Sequence, residues 1–130
     1  MTKFTTQEVT VNKRAEVFFE YISDLSNLKD IMPTQIENFK STNSTCSFKV
    51  TGMPTIELEI TKKIKFSRIS LTAQESQIPF SLNCFISEKA ETTCIVRVEI
   101  DAELNMMTRM MVEKPLNNIL EAIEKKLQKF

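Results

Sequence analysis

Cys94-Ile95-Val96-Arg97-Val98-Glu99-Ile100-Asp101-Ala102-Glu103-Leu104 is the stretch on which the fold turns. Cys94, Val96, Val98, Ile100, Ala102 and Leu104 are apolar, while Arg97, Glu99, Asp101 and Glu103 between them are charged. A period of two sends successive side chains to opposite faces of a strand, so this segment predicts a strand with one face in a core and the other in water. Such half-buried strands belong to antiparallel sheets. The apolar face needs a cover, and the one long element left to supply it is the C-terminal segment Met106 to Phe130.

Working towards the N-terminus, the same alternation recurs. Phe80, Leu82, Cys84 and Ile86 follow Pro79; Ile69, Leu71 and Ala73 alternate with Ser70 and Thr72; Ile56, Leu58 and Ile60 alternate with Glu57, Glu59 and Thr61. Cys46, Phe48 and Val50 form a further strand, followed by a turn at Thr51-Gly52-Met53-Pro54, where glycine is free to take a positive φ. Before residue 33 the period is helical. Asn12 is a candidate N-cap for a short helix carrying Ala15, Phe18, Phe19 and Ile22. Asp24 and Ser26 open a second, with Leu25, Leu28 and Ile31, which Pro33 stops. Lys3 to Val11 reads as the first strand. The expected order is one strand, two short helices, a run of antiparallel strands and one long helix.

On that helix Leu116, Ile119, Leu120, Ile123, Leu127 and Phe130 make one apolar stripe at 3.6-residue spacing. Carried backwards, the stripe meets Val112, Arg109 and Asn105, whereas Met106, Met107, Met110 and Met111 centre well over a right angle away. Lys114-Pro115 lies at the break. Proline there removes a backbone donor, so a kink or a fresh helix start is expected. If the kink turns the methionines onto the sheet they line its interior; if not, they form an exposed apolar patch, the usual mark of a contact surface.

At 130 residues the chain has the length of one domain, read as residues 1–130. Lys and Arg number 17 and Asp and Glu 17, so no net positive field is available for phosphates, and nucleic acid is not an expected partner. No apolar run is long enough to span a bilayer and the N-terminal residues do not read as a signal segment, which suggests a cytoplasmic protein. Histidine is absent, and Cys46, Cys84 and Cys94 lack C-x-x-C spacing. Three reduced, buried thiols are expected, with no metal, no cofactor and no catalytic set. Glu57, Glu59, Glu99, Asp101 and Glu103 occupy the outward register and read as a solvated face, as does the Lys62-Lys63-Ile64-Lys65 cluster at a strand end.

The order of elements, together with Val17-Phe18-Phe19-Glu20-Tyr21-Ile22-Ser23-Asp24, Asn27 and Met32-Pro33, resembles the SRPBCC or Bet v 1-like (START/polyketide cyclase) superfamily, nearest its bacterial polyketide-cyclase/dehydrase-like members. The resemblance implies an α+β helix-grip fold: a curved antiparallel sheet of about seven strands wrapped around a long C-terminal helix, with two short helices after the first strand. It also implies an apolar cavity between sheet and helix. The glycine-rich loop of the pollen-allergen branch has no counterpart at Ser41-Thr42-Asn43-Ser44-Thr45. On this reading the protein binds a small hydrophobic or amphipathic molecule without catalysis, walled by Phe48, Leu71, Leu82, Val98, Met107, Met110 and Met111, with Arg109 placed to meet a ligand carboxylate. Arg109 has a simpler partner in Glu113, one turn on. The alternatives are a homodimer or protein-interaction module using the Met106–Met111 face and, third, a cyclase/dehydrase-type enzyme.

Overall fold

The computed structural model describes residues 2–32, 36–49, 55–74 and 79–130. Two short strands, β1 (Thr2–Thr5) and β2 (Val9–Val11), lead into α1 (Ala15–Ile22) and a 3-10 turn of helix (Leu25–Asp30). Then come β3 (Glu37–Ser41), β4 (Thr45–Lys49), β5 (Ile56–Ile64), β6 (Arg68–Ala73), β7 (Phe80–Ala90), β8 (Thr93–Ala102) and the long α2 (Met106–Gln128). The strands form one antiparallel sheet in the order β1-β8-β7-β6-β5-β4-β3, with β2 also on β8. The α+β helix-grip arrangement is therefore present. The expected turn at Thr51–Pro54, together with Val50 and Pro33, lies outside the described residues.

The first strand is two strands rather than one. Phe4 pairs with Ile100 but Val9 pairs with Val96, so one extra residue intervenes on the β1–β2 side. A one-residue bulge reverses side-chain parity, and that reversal lets Phe4 and both Val9 and Val11 point into the core. Thr6 repairs the ladder at the break: its N–H donates to Val98 O at 2.9 Å and its Oγ1 accepts from Val98 N at 3.0 Å. β3, at Glu37 to Ser41, is a strand that its polar sequence did not announce.

Helix α1 buries Ala15, Phe18, Phe19 and Ile22 as the spacing requires, but its N-cap is Arg14, not Asn12, and the cap makes no side-chain bond. The second helix is a 3-10 turn in which Asp24 accepts from Ser26 N, with Leu25 and Leu28 buried. Helix α2 opens with a reciprocal cap: Asn105 Oδ1 accepts from Thr108 N at 2.9 Å and Thr108 Oγ1 accepts from Asn105 N at 3.0 Å.

No fresh start occurs at Pro115, which sits within one 23-residue helix. The buried stripe explains why. Val112 before the proline and Leu116 after it are both buried, in line with Ile119, Leu120, Ile123 and Leu127, so packing on both sides outweighs the one hydrogen bond proline cannot make.

The β5–β6 turn closes through Ser67 N to Ile64 O and places Phe66 at φ 63°. A left-handed phenylalanine costs about 1–2 kcal/mol, and here the ring packs edge-to-face on Phe19 of α1, centroids 5.7 Å apart. Sheet turn and helix are thereby pinned together.

Candidate functional site

The concave face of the sheet, α1, the 3-10 turn and α2 enclose the apolar interior. Of the residues expected to wall it, Phe48, Leu71 and Val98 are buried there, and Leu82 points inward but is only half-buried. Two small voids lie among the described residues. One offers about 30 Å³ to the centre of a water-sized sphere, between Leu25, Leu28 and Ile31 on one side and Ile69, Leu71, Cys84 and Val98 on the other. The second, of about 20 Å³, lies between Phe48, Ile56, Leu58, Phe80 and Ile100 of the sheet and Leu116 and Ile119 of α2. Met32, Leu82 and Ile123 line both. Among the described residues the interior voids are thus small and apolar.

Burial along β7 is inverted. Phe80, Leu82 and Cys84 face the interior yet stay half-buried, while Asn83, facing outward between them, is 4% exposed. The inward residues keep free surface because they border the voids. Cys84 lies deep in the fold, and desolvation, followed by the nearby Cys94, pushes its thiol up to about 12. Cys46 is pushed up to about 11, also by burial. These thiols stay protonated across the physiological range, and all three cysteines are free.

A pH dependence follows. The folded thiols hold their protons to higher pH than the unfolded ones, so their contribution is complete below about pH 9 and is lost between there and about pH 12. Urea midpoints recorded across that window are expected to fall, and Cys84→Ala is expected to flatten the decline by an amount on the order of a few kcal/mol.

Outside the sheet, the outward side chains are not all loose in water. Arg68 Nε donates to Ser70 Oγ at 2.9 Å and Arg68 Nη2 to Asn83 Oδ1 at 3.1 Å, while Ser70 Oγ donates to Asn83 Oδ1 at 2.6 Å. The Arg68 and Arg97 guanidinium groups lie 5.1 and 4.5 Å from the centre of the Phe85 ring. Arg97 also pairs with Glu99 at 3.5 Å. Two of the expected solvated carboxylates are therefore covered: the Glu99 side chain is 15% exposed, and Asp101 Oδ1 is buried without a hydrogen-bond partner among the described residues. Long neighbouring side chains on a wide sheet screen its centre. Glu57, Glu59 and Glu103 are exposed, as are Lys62, Lys63 and Lys65.

The methionines do not join the wall. Met106, Met107, Met110 and Met111 are 82, 73, 78 and 62% exposed. With α2 unbroken, 100° per residue carries them to the side opposite Val112 and Leu116, so Met107, Met110 and Met111 cannot reach the interior. Arg109 is exposed as well and pairs with Glu113 at 3.3 Å. The interior wall instead takes in Ile22, Leu25, Leu28, Ile31 and Met32, which the sequence reading left out. Their three-residue spacing over Leu25, Leu28 and Ile31 was the available sign.

A further hollow of about 370 Å³ is lined by residues of β3, β4 and β5, among them Lys40, Ser47 and Glu57, and by Gln74. Tyr21 bonds Asp30, and that hydrogen bond first, then burial, pushes its phenol up to about 12. No cluster of three or more potential metal ligands occurs among the described residues. No helix among them is long and apolar enough to cross a membrane.

No family model matches the sequence, and no curated protein matches it. Solved structures do. A START superfamily protein from Mycobacterium smegmatis is 13% identical with a TM-score of 0.68, over 98% of this chain and 97% of that one. Norcoclaurine synthase from Thalictrum flavum is 11% identical with a TM-score of 0.67, over 99% of this chain and 88% of that one. A conserved protein from Geobacillus kaustophilus is 12% identical with a TM-score of 0.69, over 98% of this chain and 93% of that one. At these identities the likeness shows a START/Bet v 1-like fold and no more.

Proposed function

We propose that the protein binds a small hydrophobic molecule, without catalysis, in the space between the concave sheet and α2. The carrying observation is the inverted burial on β7, where deep inward side chains keep free surface beside voids that only apolar residues and the Cys84 thiol line. An apolar interior of this kind attracts apolar guests, and one that fills a void restores contacts its lining lacks. Norcoclaurine synthase, an enzyme by its name, shares the fold. In this chain the two voids are lined by no acid or base other than a thiol held at about 12, which argues against proton-transfer chemistry there.

Protein purified without added lipid and examined by native mass spectrometry is expected to carry, or to take up, an apolar compound, and binding at a hundred times Kd is expected to stabilise it by about 2.7 kcal/mol. Empty protein together with no thermal shift from any apolar extract would overturn the reading.

A second reading rests on α2. Its four exposed methionines amount to about three fully exposed side chains on one face, an apolar patch in the roughly 300–600 Å² range that is often functional. This face is a contact surface for a second copy or another protein. Met107→Lys with Met110→Lys is expected to leave stability within about 0.5 kcal/mol and to abolish any self-association seen by sedimentation. A strictly monomeric protein whose four methionines are all protected from mild peroxide oxidation would count against this reading.

A further inference from the structure

The two voids share three lining residues, one from each layer around them: Met32 after the 3-10 turn, Leu82 of β7 and Ile123 of α2. These three side chains stand between the lobes. They are not equally movable. Ile123 and Met32 are both 2% exposed, but Ile123 is β-branched on a helix, which leaves it essentially one χ1 rotamer. Met32 is unbranched, with three rotatable side-chain bonds, and Leu82 already has free surface beside it. Neither lobe alone, at about 30 and about 20 Å³ open to the centre of a water-sized sphere, has length for a chain of several carbons. A ligand of any length needs both.

We propose that Met32 and Leu82 form a movable partition that joins the two lobes when a ligand enters, and that this ligand is apolar along its whole length. The proposal rests on the cavity reading above and deepens it. Its chemical class follows from the lining: from Cys84 and Leu28 at one end to Phe48 and Ile119 at the other, the described side chains offer no charge and no hydrogen bond beyond the weak Cys84 S–H donor, and an unpaired carboxylate there would be desolvated without compensation. Met32 and Leu82 thus set the length of molecule accepted, while Ile123 stays as a fixed wall.

The test uses the full chain and three probes: benzene, n-butylbenzene and 4-phenylbutyrate, the last carrying a carboxylate where n-butylbenzene ends in a methyl group. Affinities are measured by calorimetry for the unaltered protein, Met32→Ala and Leu82→Ala. Each substitution is expected to tighten n-butylbenzene by about ten-fold, because the joined lobes take up the alkyl chain, and to change benzene by less than about three-fold. In every chain 4-phenylbutyrate is expected to bind at least about ten-fold more weakly than n-butylbenzene. Equal n-butylbenzene affinity in all three chains overturns the partition and leaves the cavity reading standing. Failure of every chain to bind either hydrocarbon overturns both. Equal affinity for 4-phenylbutyrate and n-butylbenzene overturns the apolar class. Should an alanine variant not fold by circular dichroism, Met32→Val and Leu82→Val serve in its place with the same expected order.

Discussion

Phe18→Ala is expected to lower the stability of the protein by about 3–5 kcal/mol, against a total of about 5–15 kcal/mol for an ordinary domain. Phe18 is fully buried on α1, and its ring meets Phe130 edge-to-face with centroids 5.6 Å apart. Phe130 follows the end of α2 and also packs edge-on against Tyr21, centroids 5.1 Å apart. Phe18 therefore ties the first helix to the end of the last one, and its removal leaves a void where the two meet. Urea unfolding would show the midpoint falling with an unchanged slope. Val17→Ala, at a position 47% exposed on the same helix, is expected to stay within about 0.5 kcal/mol. A small effect at Phe18 would mean that α1 does not hold α2 in place.

The second large effect is expected on the opposite side of the sheet. Asn83→Leu removes the acceptor that holds both Ser70 Oγ and Arg68 Nη2, and it also removes the donor to Ser81 Oγ. Ser70 is 5% exposed, so its hydroxyl, though it still accepts from Arg68 Nε, is left with no acceptor for its own proton and away from water, at a cost of about 1–3 kcal/mol. If the three residues act as one network, Ser70→Ala combined with Asn83→Leu is expected to cost less than the sum of the single changes, by about 0.5–3 kcal/mol in a double-mutant cycle. Strict additivity would show that the network is a set of independent bonds.

These two sites mark where local pattern was informative and where it was not. Phe18 was legible because a 3.6-residue period over Ala15, Phe18, Phe19 and Ile22 needs only the helix itself to define a face. Asn83 was not: as an outward residue on a strand it reads as solvated, and only the long side chains of neighbouring strands bury it. The strand parity that placed Phe48, Leu71, Leu82 and Val98 inward likewise depends on each strand alone. The one parity change in the N-terminal strand, from Phe4 to Val9 and Val11, was written in the sequence as the trace of the bulge at Thr6.

The methionine face shows the same division. Its angular offset from the Leu116–Leu127 stripe is a property of the sequence, computed from 100° per residue. Whether it turned inward depended on whether α2 broke at Pro115, and that was decided by packing of Val112 and Leu116 against the rest of the core. The methionines stay outside because the helix stays whole.

By itself, then, the sequence determined the inner and outer faces of β4 to β8, the apolar stripe of α2 and the helical faces of the two short helices, while the helix-grip architecture was implied by the family resemblance that the order of these elements carries. The faces and the stripe are a matter of backbone period within one segment. The tertiary structure alone decided that Met32, Leu82 and Ile123 meet, that two small voids flank them and that Asn83 is covered while Leu82 keeps free surface. Those facts arise from side chains of distant segments filling one volume, and no single segment's period carries that information.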